Sequence, residues 1–356
     1  MRHIKYLFII ILSIVLCTCA KQEKIKIAIM TKLSSASIVG SSEINAGKLF
    51  IEKNNIKDLE IYAYDDQWEP NESIIQFNKM RSDGIDILIT SHISGCVIAL
   101  EEMINNEKVF CFVTGATTDE ISGKDDFIFR NVQDVISEQK SMAEFTNKHY
   151  NDLLVIRDTD NFAYTEPALK YFLKYQKLNS VHLIDISIAN LNLDSLRQEI
   201  EVFDFDSLYL LIGGYQVNAG NIAQLVDNIK PKIPILYTAW MKSPTLLETA
   251  GQTIKQSIIA SHYPPYGENK NIINYLNDYQ NKFGELPTYI SFNVYSALEI
   301  IYEAIRNGNK SPQEIKDFLL EKRVFSTQFG EIIFNNYGDI EASLYFINDI
   351  LKEFKQ

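Results

Sequence analysis

The sequence is poor in the residues that most often carry reaction chemistry. Five histidines occur in 356 residues, His3, His92, His149, His182 and His262, and none stands at a ligand-like spacing from cysteine, which argues against a zinc site. No Gly-x-Gly-x-x-Gly follows the first apolar run, and no Gly-Lys-Ser/Thr stands in a phosphate-loop setting. A nucleotide cradle is thereby excluded, and no cofactor is expected. Nor is there a Gly-x-Ser-x-Gly elbow or a paired His/Asp, so an enzyme is not expected. Basic runs are missing as well: the formal charge is -12, which excludes a phosphate-binding surface and with it nucleic acid as a partner. Cysteine is scarce. Of four, Cys17 and Cys19 lie near the start, and Cys96 and Cys111 lie in apolar patterns, so two buried free thiols are expected in preference to a disulfide.

What is present begins with the N-terminus, "MRHIKYLFIIILSIVLCTCAKQEK". Arg2 and Lys5 precede an apolar stretch from about Tyr6 to Leu16. That length suits a signal segment and falls short of a membrane span, which needs roughly 17–25 residues. Its end, Leu16-Cys17-Thr18-Cys19, resembles the lipobox of bacterial lipoproteins, with Thr18 where a smaller residue is usual. The resemblance implies a signal peptide over 1–18 and a lipid on Cys19, with 19–24 as tether; Cys17 is the weaker candidate.

Beyond it, apolar runs of five or six residues alternate with helix-period segments: "IKIAIM" and 43–54, "LEIYAY" and 71–82, "IDILIT" and 94–106, then "KVFCFV". Continuous apolar runs suit strands covered on both faces, hence a parallel sheet wrapped by helices. The rhythm restarts with "DLLVIR" and 163–178, "VHLIDI" and 192–201, "SLYLLI" and 217–229, and "IPILYT". A chain of this length exceeds one core, so the expectation is an α/β protein of two doubly wound parallel-sheet lobes. Helices are read at 269–283, 288–307 and 311–321, and strands at 331–335 and 343–348. Irregular stretches near 129–137, 258–267 and 322–330 serve as three crossover segments. They divide the chain into 25–131 plus 262–323 as lobe 1 and 132–261 plus 324–356 as lobe 2.

Ligands of open α/β sheets collect beyond the carboxyl ends of the strands. There, "IDILIT" is followed by Ser91-His92-Ile93-Ser94-Gly95 and "KVFCFV" by Thr114-Gly115-Ala116-Thr117-Thr118. Small and hydroxylated residues at helix or turn starts present N–H groups to an anion. The plainer reading of Ser94 and Thr117 is that they only cap helices. With no phosphate motif, a small carboxylate is the anion expected.

Over nearly all of this length the sequence resembles the type 1 periplasmic binding proteins of the branched-chain amino acid (Leu/Ile/Val) kind, the Venus-flytrap receptors of ABC importers. The resemblance rests on "IKIAIM…GSSEINAGKLFIEKNN", "AYDDQWEPNESIIQFNKMRSDGIDILI", "VTGATTDE…DFIFRN", "YLLIGGYQVNAG" and "TQFGEIIFNNYGDIEASLYFIN" in order. It implies that Ser94 and Thr117 bind a ligand carboxylate, with Gly95 beside Ser94. It likewise places Gly115 at the ligand ammonium, Ala116 between Gly115 and Thr117, and Tyr164 and Tyr215 as the second lobe's closing aromatics. Ala239 and Trp240 stand where an acidic partner for the ammonium is usual, and Val39 where an aromatic is; Trp240 can stack on a ring or cover an ammonium. The function implied is a solute-binding lipoprotein, extracytoplasmic and lipid-anchored, that closes on a small molecule and presents it to an ABC permease. The alternative is a sensory module of the same fold that signals to a membrane partner.

Overall fold

The structure, a computed structural model, describes residues 24–90, 93–340 and 342–354, apart from the side chains of Ala36 and Phe354. The expected signal segment, Cys17, Cys19, Ser91 and His92 lie outside the described residues. Among those described, no helix is long and apolar enough to cross a membrane.

Two parallel sheets carry the fold. The first holds β1 (Ile25–Thr31), β2 (Leu59–Asp65), β3 (Ile87–Thr90), β4 (Phe110–Val113) and β5 (Ile128–Arg130) in the order β2-β1-β3-β4-β5. Its helices are α1 (Ile38–Lys53), α2 (Pro70–Ser82) and α3 (Ser94–Asn106). The second sheet is entered through α4 (Val135–His149). It runs through β6 (Asp152–Asp158), α5 (Phe162–Tyr175), β7 (Ser180–Ile186), α6 (Leu193–Ile200), β8 (Ser207–Leu211), α7 (Gln216–Ile229), β9 (Ile235–Tyr237), α8 (Pro244–Ala250) and β10 (Ser257–Ser261). The chain then returns to the first lobe through α9 (Lys270–Phe283), α10 (Ile290–Arg306) and α11 (Pro312–Lys322), followed by the hairpin β11 (Val324–Thr327) and β12 (Gly330–Ile333). Last come β13 (Tyr345–Ile347), antiparallel to β10, and α12 (Ile350–Phe354).

Burial explains the sequence pattern. Central β3, β4 and β8 are buried at every position, whereas the edge strands β2 and β7 are only partly so. Apolar runs are therefore unbroken where helices cover both faces. Each sheet carries one apolar core per face. In the first, Ile27, Ile89 and Phe112 face α1 and α10, while Met30, Leu88 and Cys111 face α2 and α3. Cys96 and Cys111 are buried free thiols, and burial pushes the Cys96 thiol up to about 12.

The strand order reverses direction of growth between β1 and β3 in the first sheet and between β6 and β8 in the second. Two switch-point crevices result, and they face one another.

One boundary differs from the sequence reading. Residues 324–340, assigned there to lobe 2, pack on lobe 1, because Phe325, Phe329 and Phe334 join the first sheet's core and Phe334 lies edge-on to Phe112 and Phe129. Arg130 N–H donates to Gly338 O, and its guanidinium pairs with Asp339 at 2.8 Å. Gly338 sits at φ +83°, and a Cβ there would stand 2.7 Å from the Phe129 ring, so only glycine fits. The last crossing thus falls between 340 and 345.

Candidate functional site

β3 and β4 pair in register, Thr90 beside Val113, so the loops that leave them emerge side by side at the crevice. Ser94 is buried as the first residue of α3, and Ile93 occupies the cap position without a side-chain bond. In the second loop Thr118 caps the following turn, its hydroxyl accepting from Glu120 N–H at 3.2 Å. Neither Ser94 nor Thr117 serves as a cap. Thr117 Oγ1 is fully buried and has no protein partner. A buried hydroxyl left without any partner costs about 1–3 kcal/mol, a cost that a ligand acceptor would remove.

The Thr117 loop is held from three sides. Val135 N–H donates to Thr117 O at 2.7 Å, and Arg130 Nη1 to Thr118 O at 2.9 Å. Asn293 Nδ2, from α10, donates to Thr114 O at 2.9 Å. Its backbone is therefore fixed before any ligand arrives.

Opposite, the second lobe contributes Asn161, Tyr164, Gly213, Gly214, Gln216 and Trp240. Gly213 lets the Tyr164 ring approach the backbone, since a Cβ there would stand 2.8 Å from Cδ1 of that ring. Tyr164 donates its hydroxyl to Glu138 Oε1 at 2.6 Å, Gln139 Nε2 donates to the same oxygen, and Tyr209 donates to Gln139 Oε1. Desolvation raises Glu138 to about 7 against the opposing pull of those hydrogen bonds. Trp240 lies edge-on to Tyr164 at 6.3 Å and tilted over His262 at 5.2 Å; Gln216 Nε2 anchors its carbonyl at 3.1 Å. Burial, reinforced by Lys242, lowers His262 to about 4, so that ring is neutral and donates from Nδ1 to Gln133 Oε1.

Between the lobes these groups line a small chamber of about 60 Å³, partly open to solvent. The chamber widens toward solvent into a cleft of about 750 Å³ that shares Val39, Trp68, Gln216, Trp240 and Ile290 with it. Of the residues expected from sequence, Ser94, Gly115, Thr117, Tyr164 and Trp240 line the chamber. Three do not. Gly95 faces the other lobe, where a Cβ would stand 3.8 Å from Ala163 Cβ; Ala116 is buried in the first lobe's core. Tyr215 is left-handed at φ +59° and half exposed on the wider mouth. The sequence reading passed over Trp68, Ile93, Asn161, Gly213, Gly214, Gln216 and Ile290. Most follow strand ends, the rule that found Ser94, and both tryptophans of the chain prove to line the chamber.

The family described as "Periplasmic binding protein" matches residues 24–348. The chain belongs to that family. Among curated relatives, the Leu/Ile/Val-binding protein of Escherichia coli K12 is 20% identical over 336 residues, 91% of this chain and 90% of that one. A branched-chain amino acid transporter substrate binding protein of Streptococcus pneumoniae, solved with isoleucine, superposes with a TM-score of 0.79 at 18% identity, covering 92% of this chain and 97% of that one. A solute binding protein of an ABC transporter from Rhodopseudomonas palustris, solved with 3,4-dihydroxybenzoic acid, gives 0.80 at 17% identity over 91% and 92%. These structural likenesses are of fold. The resemblance and the two-lobed α/β architecture read from sequence hold, and the chain is a solute-binding protein, not an enzyme. The candidate site of this member lies between facing crevices. Here, no charged side chain lines the inner chamber among the described residues.

Proposed function

We propose that this periplasmic binding protein is the extracytoplasmic, lipid-anchored capture subunit of an ABC importer, closing its lobes on a small carboxylate-bearing ligand. The observation that carries the reading is Thr117: a buried hydroxyl without a protein partner, beside Ser94 at the start of α3, at the convergence of two strand ends. Hydroxyls and helix-start amides are donors suited to a carboxylate, and the helix dipole adds attraction. Apolar Val39, Ile93, Ile290 and the two indoles supply the surface for the ligand's body. Lipid attachment at Cys19 rests on the Leu16-Cys17-Thr18-Cys19 segment.

Titration calorimetry of the purified protein against branched and aromatic carboxylates, each paired with its primary amide, tests the seat. Carboxylates are expected to bind at least about tenfold tighter than their amides, the difference between charge-assisted and neutral hydrogen bonds. Equal affinity for acid and amide refutes the reading. Loss of the lipid-bearing form on Cys19→Ala, read by mass spectrometry of membrane fractions, checks the anchor.

A further inference from the structure

Both the number and the kind of unpartnered atoms in the inner chamber bear on what the ligand carries beside its acid group. Besides Thr117 Oγ1, two buried side-chain atoms of lining residues lack a protein partner: Trp68 Nε1 in the first lobe and Asn161 Oδ1 in the second. The indole nitrogen is a donor only, so its partner must be an acceptor. An ammonium has no acceptor to offer it. Asn161 Nδ2 donates to Gly213 O at 3.4 Å, so its free Oδ1 is an acceptor; a hydroxyl can serve both that oxygen and the indole, a carbonyl only the indole and an ammonium only the oxygen.

Trp68 is held in place by unusual backbone. Gln67 and Trp68 are consecutive left-handed residues at φ +56° and +59°. Their N–H groups are taken by Asp65 Oδ1 at 3.1 Å and Asp66 Oδ1 at 3.2 Å. Two non-glycine residues in that conformation are the kind of strain that persists where it aims a side chain.

Charge argues the same way. Nothing lining the inner chamber among the described residues is acidic. Glu138 stands behind Tyr164 and outside the lining; Tyr164 and Gln139 both bond its Oε1, while Oε2 has no protein partner. The mouth outside the chamber carries Lys32 and Lys242 as well as Glu248 and Glu285, so it supplies no net negative field there. Burying an ammonium against neutral walls is costly, whereas a neutral oxygen is accommodated by one donor and one amide.

We propose that the ligand bears a neutral oxygen function, hydroxyl or carbonyl, in place of an amine beside its carboxylate, and that the Trp68 indole N–H is the donor that reads it. The inference rests on the carboxylate seat proposed above and adds the class of acid: hydroxy or oxo acids with a branched or aromatic body, discriminated from the matching amino acids.

The test uses two series and one variant. Calorimetry on the full chain compares leucine, 2-hydroxy-4-methylpentanoate, 4-methyl-2-oxopentanoate and 4-methylpentanoate, and the corresponding phenylalanine, 3-phenyllactate, phenylpyruvate and 3-phenylpropanoate. In at least one series the hydroxy or oxo acid is expected to bind about tenfold or more tighter than the amino acid. Trp68→Phe keeps a ring and removes the N–H. It should weaken the hydroxy or oxo acid about fivefold or more while leaving the plain acid within about twofold. An amino acid that binds as tightly as its oxygen analogue overturns the inference and leaves the carboxylate seat standing. Equal loss for oxygenated and plain acids in Trp68→Phe overturns the role of the indole N–H. If no acid of either series binds at millimolar concentration, the seat itself is refuted and the inference with it.

Discussion

Replacing Thr117 with valine removes one oxygen and keeps the side chain's shape. Because that oxygen has no partner in the protein, the unliganded variant should lose no stability and can gain up to about 1 kcal/mol. Ligand affinity should move the other way, falling by about 1–3 kcal/mol through loss of a charge-assisted bond. Opposite signs in thermal unfolding and calorimetry are the expected signature; parallel losses would mean the hydroxyl serves the fold. Glu138 gives a second residue-scale test. Its folded pKa, about 7, lies above the ordinary 4.5 because of desolvation, so the folded state holds a proton that the unfolded state releases between those values. Its contribution is therefore full below about pH 4.5 and is lost as pH rises toward 7, by up to roughly 3 kcal/mol. Glu138→Gln keeps the acceptor for Tyr164 and abolishes the titration. Asp126 and Glu299 are also raised, so the quantity to measure is the stability difference between variant and parent: it should shift in the variant's favour from pH 5 to 8. A difference flat with pH sinks the assignment.

Whole elements show why parts of the chain were readable and others not. α3 spans 94–106, as its apolar period predicts, since Cys96, Val97, Leu100 and Ile104 all face the core. α4 escaped the same reading because its inward face carries buried polar groups: Glu138 and Gln139, whose partners Tyr164 and Tyr209 lie far along the chain, and Thr146, which bonds Ala143 O of its own helix. A period count scores such residues as solvent-facing. Its start is nonetheless marked, for Asp134 caps it by accepting from Ser137 N–H at 2.8 Å. β10 and β11 are short and flanked or interrupted by serine, and were read as crossing segments. The hairpin's loyalty to lobe 1 was illegible, since aromatic residues in "EIIFN" do not say which of two cores they enter. The site divides similarly: hydroxyls after strands are visible in sequence, but which of them remain unpartnered depends on caps such as Thr118. Gly338 tests the hairpin's placement. Gly338→Ala forces a Cβ onto the Phe129 ring at φ +83° and should destabilise by about 1–3 kcal/mol in denaturant unfolding. Were 336–340 loosely attached, the change would cost almost nothing.

At the scale of the molecule, contacts between the two lobes outside the hinge set how firmly a closed form holds. Gly95 of lobe 1 faces Ala163 of lobe 2 without a side chain between them. Nearby, Tyr171 of α5 donates its hydroxyl to Asp119 Oδ2 of lobe 1 at 2.6 Å, and that carboxylate raises the phenol to about 12. Tyr171 is not among the residues that line the chamber. The Tyr171–Asp119 bond therefore joins the lobes from outside the chamber lining, and we expect it to act on closure. A contact present only in the closed form lowers the dissociation constant by favouring that form for every ligand alike. Because the pair is partly open to water, its worth is at most about 1 kcal/mol. Tyr171→Phe is expected to weaken all ligands by a common factor of about two to five, mostly through faster dissociation, whereas Thr117→Val weakens carboxylates selectively. Stopped-flow measurement on two chemically different ligands separates these outcomes: a loss confined to one ligand places Tyr171 in recognition, and no loss at all means the bond also survives in the open form.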